Sequence, residues 1–164
     1  MRVSDSPRRP QPATARACIG IGSLALASIG IAGCVSGRPD VAVRDAVIPV
    51  PMTADSASVY LTIENSGGAD DVLKGVSASS GQLAHLHETA IESDGRASMR
   101  AVGTVRIKAG ETVRMEPGGL HVMLMNPGEL ADGDQLQLYL AFEKSGVKHV
   151  KATVTDDYDD VLGG

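Results

Sequence analysis

An all-β sandwich is the fold class this sequence predicts, and three observations carry it. From Val41 onward, short alternating apolar segments are separated by Gly, Asp, Asn and Pro, which is how sandwiches and barrels read. No window carries a helical period. Turn-forming pairs recur where each segment should end.

The 164 residues suffice for one domain with a real core and are too few for two comfortable ones. Hydrophobic content of 43% and charged content of 21% are those of a globular chain. With one Phe and three Tyr, the core has to come from Val, Leu, Ile, Met and Ala. In chain order, strands are expected over 46–50 and 57–64, the second closed by Asn65-Ser66-Gly67-Gly68, then over 72–77 and 83–89, before Asp94-Gly95. Segments 102–107 and 112–116 flank Ala109-Gly110, and 120–126 lies between Pro117-Gly118-Gly119 and Pro127-Gly128. The segment 135–143 follows Asp132-Gly133 and puts Leu136, Leu138, Leu140 and Phe142 on the inner face, with Gln135 and Gln137 outside. In 148–154, Val150, Ala152 and Val154 face inward, which leaves His149 outside with Lys151 as an exposed histidine.

The first 33 residues differ. Arg2, Arg8, Arg9 and Arg16 precede an apolar run, 17–32, that ends in small residues before Cys34. This is the pattern of a secretory signal, and the Gly- and Ser-interrupted run is marginal for spanning a hydrocarbon core of about 30 Å. Ile31-Ala32-Gly33-Cys34 resembles a bacterial lipobox, in which Cys34 is acylated and becomes the first mature residue. The expected organisation is a lipoprotein signal peptide over 1–33, a lipidated Cys34 and tether over 34–44, a β-sandwich over 45–155 and a solvated acidic tail over 156–164. The protein is thus expected outside the cytoplasm, held to the cell membrane by lipid.

Charge and cysteine counts then exclude whole classes of function. The leader takes four Arg and one Asp from the chain's 15 basic and 20 acidic residues, leaving a mature part of net charge about −8, unsuited to nucleic acid, whose phosphates demand a basic patch. Of the two Cys, Cys18 leaves with the leader and Cys34 carries lipid. The domain itself therefore has no thiol, which removes disulfides, blue-copper sites, zinc ribbons, iron–sulfur clusters and cysteine nucleophiles. Neither a Gly-x-Ser-x-Gly elbow nor His-Glu-x-x-His occurs, so an enzyme is not expected.

The residues that carry chemistry come from the same alternation. In 120–126, Leu120, Val122 and Leu124 share one face, and His121, Met123 and Met125 the other. His121 and Met123 stand about 6.6–6.8 Å apart along the strand, close enough for an imidazole and a thioether to converge on one ion. In 83–89, His85 and His87 share a face opposite Ala84 and Leu86. Thioether sulfur prefers Cu(I), imidazole suits copper in either state, and no carboxylate is placed to favour a harder ion. A His and Met set without Cys holds its metal with neutral ligands, so the ion can be given up. Met115, on the face of Val113, reads as core; Met52, beside Pro51, as a loop residue; His85 as a spare ligand; Met125 as a shield of the site.

Leu86-His87-Glu88-Thr89, Asp94-Gly95, Met99-Arg100, the run 117–125 and the segment 138–143 together resemble the PCuAC family of periplasmic copper(I) chaperones. The resemblance covers most of the mature chain. The family's His, Met and His-x-Met pattern is matched by His87, Met99, His121 and Met123. Twenty-one residues separate Met99 from His121 as in the family, and eleven separate His87 from Met99, one more than usual, which a longer turn at Asp94-Gly95 absorbs. The resemblance implies a cupredoxin-like Greek-key sandwich, one Cu(I) held by those four residues, and delivery to an apo copper acceptor of the cytochrome oxidase assembly pathway; a monomer is expected. Copper storage needs the same site and stays open. So does a non-metal lipoprotein module that displays its His and Met on the surface.

The lipobox reading has a direct check. Mass spectrometry of the mature N-terminus should find lipid on Cys34, and Cys34→Ser should release the protein from the membrane fraction. An unmodified Cys34, or a Cys34→Ser chain still wholly in the membrane, would mean a retained helix.

Overall fold

A computed structural model describes residues 37–79 and 81–158. The expected signal peptide, Cys34 and the end of the expected acidic tail lie outside the described residues. Ten strands run in chain order: β1 (Val41–Pro49), β2 (Ser56–Asn65), β3 (Asp71–Ala78), β4 (Leu83–Ile91), β5 (Ala97–Val102), β6 (Val105–Ile107), β7 (Thr112–Met115), β8 (Leu120–Met125), β9 (Gln135–Phe142) and β10 (Gly146–Thr155). The described residues contain no helix. The strand path is β5-β4-β8-β2-β1-β10-β9-β3-β6, with β7 on β2 and a further pairing of β3 with β4 that closes the sheet on itself. All pairs are antiparallel except β1 with β10.

Alternation places the core as expected. Leu138 and Leu140 of β9 and Val154 of β10 are fully buried, as are Val122 and Leu124 of β8 and Met115 of β7. Each such side chain contributes about 1.5–3 kcal/mol relative to exposure. His149 is exposed, its ring edge-on to Tyr139 at 4.9 Å, and Met52 is fully exposed.

Two elements differ from expectation. Strand β1 begins at Val41, inside the stretch expected to be tether, because Asp45 adopts φ 54° and the register to β2 shifts between Arg44 and Val47. A bulge of this kind resets the two-residue period, so the residues on either side do not read as one strand. The segment 102–107 is in fact the end of β5 and the short β6, parted by Gly103-Thr104. Strand β5 escapes the sequence because it is an edge with no fully buried residue, and alternation is visible only when one face is buried.

Two buried polar side chains tie the loops away from β8. Asn65, at the end of β2, accepts from the backbone N–H of Asp40 and Gly67 (3.1 Å each) and donates to the carbonyls of Ala69 (2.8 Å) and Lys108 (3.1 Å). Gly67 must be glycine here, since a Cβ would overlap the backbone of Asp40 and Arg38. Asp71 accepts from the N–H groups of Val72 (2.8 Å), Lys144 and Ser145 (2.9 Å each), joining β3 to the β9–β10 turn. Burial works to raise its carboxyl, but these hydrogen bonds outweigh it and hold the pKa below the ordinary value.

Asn65→Ala leaves buried donors and acceptors unpaired, so chemical denaturation should show a loss of about 1–3 kcal/mol, with β8 and the residues around it unaltered in the spectrum of the folded state.

Candidate metal centre

The site is built on the β4–β8 ladder. Antiparallel pairing sets His87 directly opposite His121 and His85 directly opposite Met123. Directly opposed residues have Cβ atoms about 4.5–5.5 Å apart, and the rings of His87 and His121 meet edge to face with centroids 6.0 Å apart. Strand β2 flanks β8 on the other side, with Ser58 opposite Met123.

His121 is 3% exposed although it points away from the apolar core. Its cover is Tyr60 of β2, edge-on at 6.4 Å, which packs against Tyr158 at 6.1 Å. The chain after β10 therefore returns to this face, and Tyr158 is half-buried where a free acidic tail was expected. Burial, above all, raises the Tyr60 pKa, with Tyr158 adding to it against an opposing hydrogen bond from Ser58. The phenol stays neutral.

The hydrogen bonding of the two imidazoles points outward to a ligand. His121 Nδ1 lies 3.0 Å from the Gly119 carbonyl, which has no proton to give, so Nδ1 donates and Nε2 carries a free lone pair. His121 Nε2 and His87 Nδ1 are both buried without a hydrogen-bond partner. Each costs about 1–3 kcal/mol if left so, and a metal ion accepting both lone pairs would remove that cost. Among the described residues, no three His, Cys, Asp or Glu side chains converge. The side chain of Met123, diagonal to His87 and next on the face to His121, places a thioether beside the two imidazoles.

Met99 lies on β5 opposite Thr89, one strand beyond His87 on the same face and 51% exposed. It is therefore a strand residue, although the first strand expected after Asp94-Gly95 began only at 102. The exposed pair Arg100 and Glu88, 2.6 Å apart and directly opposed, spans the same two strands from the other face. Met99 approaches His87 diagonally, from the side away from Met123. Diagonal neighbours lie about 7–8 Å apart, within reach of a long side chain. All four sequence candidates thus share one face, with His87, His121 and Met123 as its compact part. His85 is exposed beside His87, centroids 6.4 Å apart, and Met125 is 37% exposed at the end of β8. Tyr60, Tyr158 and the Gly119 carbonyl were not singled out from the sequence. Only the pairing of β2 with β8 marks Tyr60, and the return of the chain after β10 has no local signal.

Comparison with known proteins follows from this geometry. The family described as "Putative lipoprotein LpqE-like" matches residues 41–154. A "Putative lipoprotein Lxx21020" of Leifsonia xyli subsp. xyli is 30% identical over 95 residues, and the match spans 57% of this chain and 57% of that relative's length. The apo PCuAC domain from PmoF1 aligns at TM-score 0.59 and 25% identity over 70% of this chain and 92% of that one. CuI-DR1885 from Deinococcus radiodurans aligns at TM-score 0.53 and 25% identity, over 68% and 76%. The copper-bound PCuAC domain from PmoF2, at TM-score 0.58 and 22% identity over 70% and 92%, shares the fold. The all-β sandwich is therefore that of the cupredoxin-like PCuAC domains.

Burial, then the neighbouring His121 and His85, lower the pKa of His87 below its ordinary 6.5. The unfolded chain, whose His87 titrates at about 6.5, then binds more protons than the folded one just below that pH, so stability must fall as pH drops through this window. Proton NMR of the apo domain should give His87 a midpoint under 6.5, with a thermal midpoint that declines below the same pH and recovers in His87→Ala. A midpoint at or above 6.5 would contradict the buried, like-charged setting.

Proposed function

The chain belongs to the LpqE-like family, and from that premise we propose that it is a lipid-anchored, extracytoplasmic copper(I) chaperone. One Cu(I) is its cargo, held by His87, His121 and Met123 with Met99 closing from the edge strand, and Cys34 carries the anchor. The observation that carries this reading is the opposed His87 and His121 pair, each with a buried ring nitrogen lacking a partner, beside a thioether. Two neutral nitrogens and soft sulfur suit Cu(I) over Zn(II) or any oxygen-seeking ion. No side chain of this set is a nucleophile or a general base poised over a substrate, so carriage is proposed and not catalysis.

Release is the other half of the function. Met99 sits half-exposed on a strand that pairs only with β4, so it can leave first, and an incoming donor can take its place. His121 lies between β4 and β2 under Tyr60 and leaves after Met99. The proposed recipient is an apo copper acceptor of the cytochrome oxidase assembly pathway, as the PCuAC likeness suggests. The exposed donor favours delivery over storage.

Anaerobic titration of Cu(I) into the mature domain, against a competing chelator, should give one ion per chain and X-ray absorption with both sulfur and nitrogen scatterers. His121→Ala should weaken binding by at least about 10–100-fold, the cost of losing even an outer partner of a ligand. Met99→Leu, close in volume, should weaken it less and leave the fold intact. Equal losses would refute the graded order, and an all-nitrogen shell would remove the methionines from the site. A wild-type protein that never passes copper to a tighter-binding acceptor would be a store.

A further inference from the structure

Resting on the copper reading, we infer that His85, Met123 and Met125 form a second, outer Cu(I) position through which the ion leaves the inner one, with Met123 common to both. The β4–β8 register carries the proposal. His85 is directly opposite Met123, as His87 is opposite His121, so the ladder presents two successive rungs of donors on one face. Met125 is the next residue of β8 on that face, about 6.6–6.8 Å beyond Met123. One imidazole and two thioethers make a soft set that suits Cu(I). The His85 ring is 6.4 Å from His87, nearly the 6.0 Å that separates His87 from His121.

Exposure changes in one direction along these rungs. His121 is 3% exposed, Met123 is half-buried, and Met125 is 37% exposed opposite the Leu83 end of β4. Beyond them lies an open groove of about 320 Å³ lined by Gly81, Gln82, Leu83, Met125 and Asn126. An ion that keeps Met123 while exchanging His121 and His87 for His85 and Met125 moves from under Tyr60 to the mouth of this groove without ever being free. It stays Cu(I) throughout, so the exchange needs no electron or proton. Sharing Met123 also means that the two positions are never filled together. The stoichiometry remains one ion per chain, and the outer position is hidden in any titration of the wild type.

The test removes the inner imidazoles. His87→Ala/His121→Ala should still bind one Cu(I), weaker than wild type by at least about 100-fold for two lost donors, with sulfur scattering exceeding nitrogen in X-ray absorption. Adding His85→Ala and Met125→Leu should cost at least about tenfold more. If the double and quadruple variants bind Cu(I) alike while the wild type binds tightly, the outer position is refuted and the chaperone reading stands. If the wild type itself takes no Cu(I), the chaperone reading falls first. A second measurement does not depend on folding of the double variant: His85 is exposed, and in His85→Ala the stopped-flow transfer of Cu(I) to excess bathocuproine disulfonate should slow several-fold. An unchanged rate overturns the route.

Discussion

The register between β4 and β8 is the constraint on which the rest of the structure depends. Side chains along a strand alternate, so a slip of one residue sends every group to the opposite face. Here the slip would bring Val122 and Leu124 to the surface and press His121 and Met123 into the core. Each apolar side chain exposed costs about 1.5–3 kcal/mol, and a buried imidazole without a partner adds to that. Val122 and Leu124, fully buried, and Leu86, nearly so, thus hold the opposed histidines in place from the far side of the sheet. The closure of β3 onto β4 and the flanking β2 keep both strands of the ladder from shifting as a pair.

Given that register, local electrostatics follow. Two imidazoles facing each other across neighbouring strands cannot both carry a proton cheaply, and the lowered His87 pKa expresses this together with burial. The Gly119 carbonyl chooses the tautomer of His121, so its free lone pair is on Nε2. Burial and its neighbours thus favour His87 in the neutral form that a soft cation requires. Tyr60 and Tyr158 close the face with rings instead of carboxylates, which keeps harder ions without a donor there. The opposed imidazoles and Tyr60 are placed by strand pairing, while the Gly119 carbonyl and Tyr158 reach the site from just outside the strands.

Much of this was legible in the residues, and the gaps have physical causes. The buried sets of β8, β9 and β10 follow from period-two alternation because each of those strands has one face in the core. His121 and Met123 could be placed together by the same logic, and so could His85 and His87. What alternation cannot say is which strands are neighbours: the opposition of His87 to His121 is a long-range fact, set by closure of the whole sheet. Strand β5 has no fully buried residue and so no apolar period to read, and Met99 fell outside the expected strands. The bulge at Asp45 hid the first half of β1 in the same way, by resetting the period. The cover by Tyr60 and Tyr158 depends on where the chain goes after β10, which no local pattern encodes.

The order in which the proposed donors could leave a metal is then decided by sheet position more than by ligand chemistry. Met99 and Met123 are the same side chain, but among the described residues β5 is an edge held by β4 alone, and the Arg100–Glu88 ion pair between them is exposed and screened by solvent. Such an edge can open locally at little cost while the closed path stays intact. Met123 has a strand on either side, and its neighbours Val122 and Leu124 anchor it in the core, so its displacement would require disturbing the ladder itself. His121 adds a ring hydrogen-bonded to backbone and capped by Tyr60. A site graded in this way holds its inner donors rigid while the outer ones yield, and that grading needs no change of fold.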